Sequence, residues 1–472
     1  ERDGFLFPDR PNYDLMDGLN YKLEQGDKNW SYVGVFYRLN YGYKGRYLIE
    51  TSGRYDGSSK FPVNEMWGFF PSASAAWRIS EEKFWSVLKP YVPSLKIRGS
   101  WGLVGNNRIG AYQYMQTVSV TNGISFGDKL AQTATFASTN PDLKWETTRM
   151  ANIGFELGLL NNDLNITFDC FNNRTKDILV NLPVPGLFGN GAPIQNAGKV
   201  ETRGWELSVS YRLKTGPVVH NFAGNISDSF NEVIDTRGTE IIGGSDVQTI
   251  IKEGYPLYSY YAYRSDGFFQ NEEECQKEGI TPKPGDIRYL DKNGDGVIKP
   301  DDDRFIVGND FPRYTFGFTY GLEYKGFDFS MMWQGVGKRN KWMRGESVEA
   351  FHNNNEGPVM DFHQDRWTPN NPDATYPRLT MGAESANNAA KSDFWIQDAK
   401  YLRLKNAQIG YTFPQQWMKK LYVKNLRIFA SVQNPLTFTK MKGGWDPEYT
   451  GDGSGRSYPV ARVYSFGLNV KF

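Results

Sequence analysis

Cysteine, histidine and long apolar runs are all scarce in this chain. Its 472 residues include two cysteines and three histidines. Two cysteines cannot build a disulfide framework. Cys170 falls mid-strand on the apolar face of Leu164, Ile166 and Phe168, and Cys275 lies in a Glu-rich loop, so no bridge between them is expected. His220, His352 and His363 are too scattered to form a metal site. No run of about 18 apolar residues exists, which excludes crossing a membrane by helices. Neither sign of charge dominates, with Lys+Arg 54 against Asp+Glu 53, so nucleic acid is not an expected partner. HExxH and CxxC patterns are absent. Loop carboxylates are plentiful, but nothing fixes their separation as a glycosidase pair requires, and an enzyme is not expected. The chain starts at Glu1 with neither an initiator Met nor a signal peptide, and a mature fragment or processed piece is expected.

Aromatic residues are abundant, at 15%, while the mean hydropathy is only −0.57. Tyr and Trp pair an apolar body with a polar tip and suit membrane interfaces. The last nine residues make the pattern explicit. Tyr464, Phe466, Leu468, Val470 and Phe472 alternate with Ser465, Gly467, Asn469 and Lys471. A strand sends these two sets to opposite faces. An apolar outer face ending on an aromatic suits a transmembrane β-barrel, whose alternation hides its membrane signal from average hydropathy.

The same alternation runs through the chain. In 31–44, Val33, Val35, Tyr37, Leu39, Tyr41 and Tyr43 oppose Gly34, Arg38, Asn40, Gly42 and Lys44. After a Lys44-Gly45 turn, Tyr47, Ile49, Thr51 and Tyr55 oppose Glu50, Ser52, Arg54 and Asp56. Two such runs about a short Gly turn make a hairpin. Further runs at 67–80, 94–105, 148–161, 163–180, 204–216, 218–236, 258–270, 312–326, 327–340, 400–414, 425–440 and 457–472 bring the expectation to about fourteen strands of one all-β, antiparallel barrel wall. The alternation changes phase near Lys405-Asn406, which predicts a bulge. Tight turns alternate with long connections at 106–147, 181–203, 237–257, 271–311 and 341–399, the asymmetry of an outer-membrane barrel. No linker or second domain is evident.

These segments resemble the C-terminal barrel portion of SusC-like TonB-dependent transporters of Bacteroidetes outer membranes, the RagA/SusC family. The resemblance spans nearly the whole chain. It is carried by Gly45-Arg46-Tyr47 through Gly57-Ser58-Ser59-Lys60-Phe61, Leu95-Lys96-Ile97-Arg98-Gly99-Ser100-Trp101-Gly102 and Asn140-Pro141-Asp142-Leu143-Lys144-Trp145-Glu146. Asn173-Arg174-Thr175-Lys176-Asp177, the run from Asn196 to Glu206, Asp291–Gly296 and Tyr401-Leu402-Arg403-Leu404-Lys405-Asn406 follow in order, ending on Phe472. The resemblance implies a barrel of about 22 strands closed by an N-terminal plug. Residues 1–472 would then be its C-terminal part, without plug, TonB box and early strands. An open half-barrel leaves two bare edges that hydrocarbon does not tolerate, so strand 457–472 is expected to pair with the first strand of the missing part.

One local motif stands out. Asp291, Asn293 and Asp295 occupy positions 1, 3 and 5 of a calcium-type loop, Gly296 the tight-turn position 6 and the Val297 carbonyl position 7. Position 12 falls on Asp302 in place of the usual Glu, whereas the resemblance implies an Asp-Arg pair at this end, here Asp303-Arg304 and one residue late, so the closing ligand is open between Asp302 and Asp303. Ile298 follows as an apolar anchor. A structural Ca²⁺ stiffening a long loop is the expectation, against an ion-free turn cluster. Trp342, Trp367, Trp395 and Trp445 lie in or beside long loops and are expected to pack there.

The resemblance implies a nutrient importer. A SusD-like surface lipoprotein would cap the extracellular mouth and deliver an oligosaccharide or peptide. TonB would act through the absent N-terminal part. Lipid and lipopolysaccharide would surround the wall, and Arg38, Glu50, Arg54 and Arg98 would line the lumen. Alternatives within membrane transport are a siderophore or cobalamin receptor and a passive porin. A soluble β-rich adhesin or carbohydrate-binding protein is the alternative outside it.

Overall fold

The computed structural model describes residues 29–126, 129–185, 187, 189–245, 247–275, 282–352, 357–382, 386–418, 422–449, 453–456 and 458–472. Glu1 and the residues up to 28 lie outside that set. Thirteen strands form one antiparallel sheet, each paired with its neighbours in chain order. They are β1 (Tyr32–Tyr43), β2 (Tyr47–Ser58), β3 (Trp67–Arg78), β4 (Ser94–Asn106), β5 (Glu146–Leu159), β6 (Leu164–Asn181), β7 (Ile194–Thr215), β8 (Val218–Asp235), β9 (Arg313–Tyr324), β10 (Phe327–Lys338), β11 (Tyr401–Thr412), β12 (Asn425–Thr439) and β13 (Val463–Lys471). Among the described residues the outer edges of β1 and β13 are unpaired.

Cross-strand register keeps each face uniform. Along one row Tyr47 faces Trp77, Trp77 faces Ile97, Ile97 faces Phe155 and Phe155 faces Phe168. The adjacent polar row runs through Arg98, Gly154 and Asp169 to Glu206. Stacked aromatics mark both limits of the apolar face. At the short-turn end Tyr47 lies 6.4 Å from Tyr43 and 6.2 Å from Trp77. Toward the long loops Tyr55 stacks on Trp67 at 5.0 Å. Tyr47 and Tyr55 are eight residues apart, roughly 26 Å along a strand, which matches the height of a lipid-facing band.

The bulge falls where the alternation breaks. Pairing of β11 with both neighbours skips Lys405, with shifts between Met332 and Trp333 and between Leu404 and Asn406. The extra residue keeps Leu402 and Leu404 on the same face as Ala407 and Ile409. The tight Lys325-Gly326 turn has both residues at positive φ, 44° and 90°, the backbone twist that a two-residue hairpin favours.

Two sequence expectations need correction. The run 258–270 is no wall strand. It splits into Ser259–Tyr263 and Ser265–Phe268, which pair within the loops. Thirteen wall strands therefore replace about fourteen. Strand β7 begins at Ile194 and not near 204, so much of the connection 181–203 is strand.

Candidate functional site in the lumen wall and loop cap

The polar face of β1–β5 is charged, yet its charges are matched. Arg38 reaches Glu50 at 2.7 Å and Arg54 reaches Asp56 at 3.2 Å. Arg98 bridges Asp169 at 2.5 Å and Glu156 at 3.2 Å. Small residues separate these pairs, with Ser52 and Ser72 hydrogen-bonded through their hydroxyls at 2.7 Å. Phe70 lies against Gly68 and Gly105, where a Cβ on Gly105 would come within 2.0 Å of its ring. The result is a concavity of about 840 Å³ lined by Glu50, Arg54, Asp56, Phe70, Asn152 and Glu206 among others. Of the four residues expected to line the lumen, all fall on this face.

The long connections gather into a packed cap. Tyr260, Trp342, Met343, Tyr376, Trp395 and Met441 form its core, with Phe362 and Trp445 against it. The four loop tryptophans therefore pack, as expected, and Trp367 donates its indole N–H to the Gln270 side-chain oxygen at 3.1 Å. Burial pushes the phenols of Tyr260 and Tyr376 upward, so both remain neutral, and their hydroxyls accept from the Trp342 and Ala350 N–H groups. A second cluster holds Tyr263, Ile287 and Tyr289, and Ile298 packs on it as the anchor of the calcium-type loop.

Buried polar side chains tie these loops together. Asp286 is nearly inaccessible and accepts from Arg378 Nε at 2.6 Å, Asn388 Nδ2 at 2.9 Å and the Lys283 N–H at 2.8 Å. His363 is fully buried. Its Nδ1 accepts from the Met360 N–H, Nε2 donates to the Val348 carbonyl, and burial lowers its pKa. Arg403 on β11 fastens the loop before β13 to the wall. Its guanidinium reaches Glu448 and Asp446, each at 2.6 Å, and Thr437 Oγ1 at 2.9 Å. Sequence reasoning did not single out Asp286 or Arg403, whose partners are distant in the chain. Cys170 and Cys275 are both free thiols.

The calcium-type loop holds a compact set of turns. The two Asp291 oxygens accept from the N–H groups of Gly294 and Gly296, each at 2.7 Å. Asn293 Oδ1 accepts from Asp295 N–H, and Asp295 accepts from Val297 N–H, the first cause of its lowered pKa. Asp302 is exposed. Asp303 is fully buried and spans the loop's ends, accepting from Lys292 N–H at 2.9 Å and Lys299 N–H at 2.7 Å. Among the described residues no three His, Cys, Asp or Glu side chains converge as a metal cluster.

Comparisons with known proteins agree on one family. Residues 2–434 match the family model described as TonB dependent receptor-like, beta-barrel. The chain is 31% identical to TonB-dependent receptor P26 of Formosa agariphila, covering 93% of this chain and 46% of that protein. It is 29% identical to TonB-dependent receptor SusC of Bacteroides thetaiotaomicron, over 93% of this chain and 44% of SusC. Among solved structures, the RagAB peptide transporter shares the fold with a TM-score of 0.78 at 24% identity, covering 94% of this chain and 47% of that one. The chain spans about half the length of the curated relatives it matches. It belongs to the TonB-dependent receptor family and forms wall strands of its outer-membrane β-barrel.

Proposed function

We propose that this chain is barrel wall and extracellular cap of an energy-coupled importer, moving an oligosaccharide or a peptide across the bacterial outer membrane within a SusC/SusD-like complex. The carrying observation is the thirteen-strand wall with an aromatic apolar outer face and a charged inner face. Kinship with TonB-dependent receptors, SusC among them, supports coupling to TonB. The neighbour described as a peptide transporter is consistent with peptide as one cargo. Unpaired strand edges are untenable in hydrocarbon, so strands outside the described residues pair with β1 and β13. A plug and the TonB contact would belong to the same additional part. A SusD-like lipoprotein would rest on the cap.

Purification of the native detergent-solubilised complex, with mass spectrometry of its polypeptides, tests this reading. A plug-bearing part together with a SusD-like lipoprotein supports it. A plug-bearing part without the lipoprotein would favour a siderophore or cobalamin receptor. A lone monomer that stays soluble without detergent would refute the barrel.

A structural Ca²⁺ belongs to the same proposal. Asp291, Asn293, Asp295 and the Val297 carbonyl would supply oxygens, with Asp302 or Asp303 closing the set. The Asp291 and Asp303 oxygens each keep acceptor capacity beyond their one backbone partner. Thermal unfolding with and without a chelator is the test, and an unchanged midpoint would count against the ion.

A further inference from the structure

The connections at the short-turn end are two to four residues long, with two exceptions. Ile79–Pro93 joins β3 to β4, and 413–424 joins β11 to β12. The first makes two short 3₁₀ turns, Ile79–Glu81 and Lys83–Val87. Phe84, Val87, Leu88 and Tyr91 sit at spacings of three, one and three residues, one face of a helical coil. All four point away from the protein, with exposures of 64%, 78%, 47% and 76%. The opposite side is anchored. Trp85 donates its indole N–H to the Val92 carbonyl at 2.9 Å. Glu82 accepts from Tyr47 Oη at 2.7 Å, Trp77 Nε1 at 3.2 Å and Arg46 at 3.1 Å.

The anchoring residues belong to the lipid-facing wall. Tyr47 and Trp77 end its apolar rows, and Phe84 meets Trp77 edge-on at 6.5 Å. The exposed face is thus continuous with the surface that meets lipid. Lys83 and Lys89 flank it, Lys89 with Glu81 at 3.5 Å, which suits the phosphates at a bilayer surface. The other long connection likewise exposes Trp417 and Tyr422.

We infer that segment 83–91 is an interfacial foot, lying in the periplasm-facing leaflet with Phe84, Val87, Leu88 and Tyr91 among the acyl chains and its lysines at the phospholipid headgroups. The inference rests on the barrel reading, and one experiment separates the two. Cys170 and Cys275 are replaced by Ala, and a nitroxide is attached at Val87→Cys or, as reference, at Ile49→Cys on the lipid-facing wall. Each variant of the complete transporter is reconstituted in vesicles of phosphatidylethanolamine and phosphatidylglycerol. Collision rates with oxygen and with a water-soluble nickel chelate are then measured. The foot requires both sites to favour oxygen over the nickel chelate. Oxygen preference at Ile49 with nickel preference at Val87 overturns the foot alone. Protection of Val87 from both reagents assigns the face to a protein partner or second copy and also overturns it. Nickel preference at both sites overturns the barrel reading itself.

Discussion

Arg403 carries the clearest single-residue consequence. Its buried guanidinium holds Asp446 and Glu448 together against the wall. Removing it takes this partner from Asp446, while Glu448 keeps Lys405 at 2.9 Å; breaking a buried ion pair costs about 3 kcal/mol or more. Arg403→Ala should therefore lower the thermal midpoint in detergent and expose the 440–456 loop to protease, whereas Arg403→Lys should fall between. His363 makes the cap sensitive to acid. Its folded pKa lies below the ordinary value of 6.5 because burial disfavours the imidazolium. The unfolded chain thus binds a proton that the folded chain resists, and stability present above pH 6.5 declines as pH falls toward the folded pKa. His363→Gln should flatten the pH dependence of cap proteolysis in that window. Neither residue's role was legible beforehand, because partners 43 and 45 residues away for Arg403 and 15 for His363 are set by loop packing that no local period encodes.

At the scale of elements, alternation was readable where one face meets lipid and the other the lumen. It located β1 and β2 to within two residues at each end, whereas β13 begins at Val463 and not at 457. It lost β7 before residue 204, where Arg203 still pairs with Glu232 at 3.0 Å and no apolar row marks the strand. It misplaced 258–270 because Tyr260 and Ala262 alternate toward the cap core and not toward lipid. The phase change near Lys405 was read correctly, because a single inserted residue must move every later side chain to the other face unless it bulges. Deleting Lys405 removes the extra residue, so Leu404 and Asn406 should pair in unbroken register. Arg403 should stay on the lumen side and assembly should persist, seen as retained heat-modifiable mobility, with the Lys405–Glu448 ion pair lost. A second test uses neighbours on β5. Ile153→Arg places a charge on the lipid face and should cost about 2–4 kcal/mol near the bilayer centre, while Asn152→Arg faces the concavity and should leave stability nearly unchanged.

The whole molecule combines a wall, a matched lumen lining and a cap rooted in that wall. Neutral balance of charge at the sequence level corresponds to paired charges along the lumen. The calcium motif was legible as oxygens in order, yet which acid spans the loop was not, since the choice depends on burying Asp303 beneath the loop's own N–H groups. Transport through this wall is proposed to be energised by the proton gradient. Uptake of labelled oligosaccharides and peptides by cells making the complete transporter, with and without collapse of the proton gradient by an uncoupler, tests it most directly. Saturable uptake of one of these classes that is lost with the uncoupler is the expected result. Uptake that continues unchanged without the gradient would contradict it and identify a passive pore.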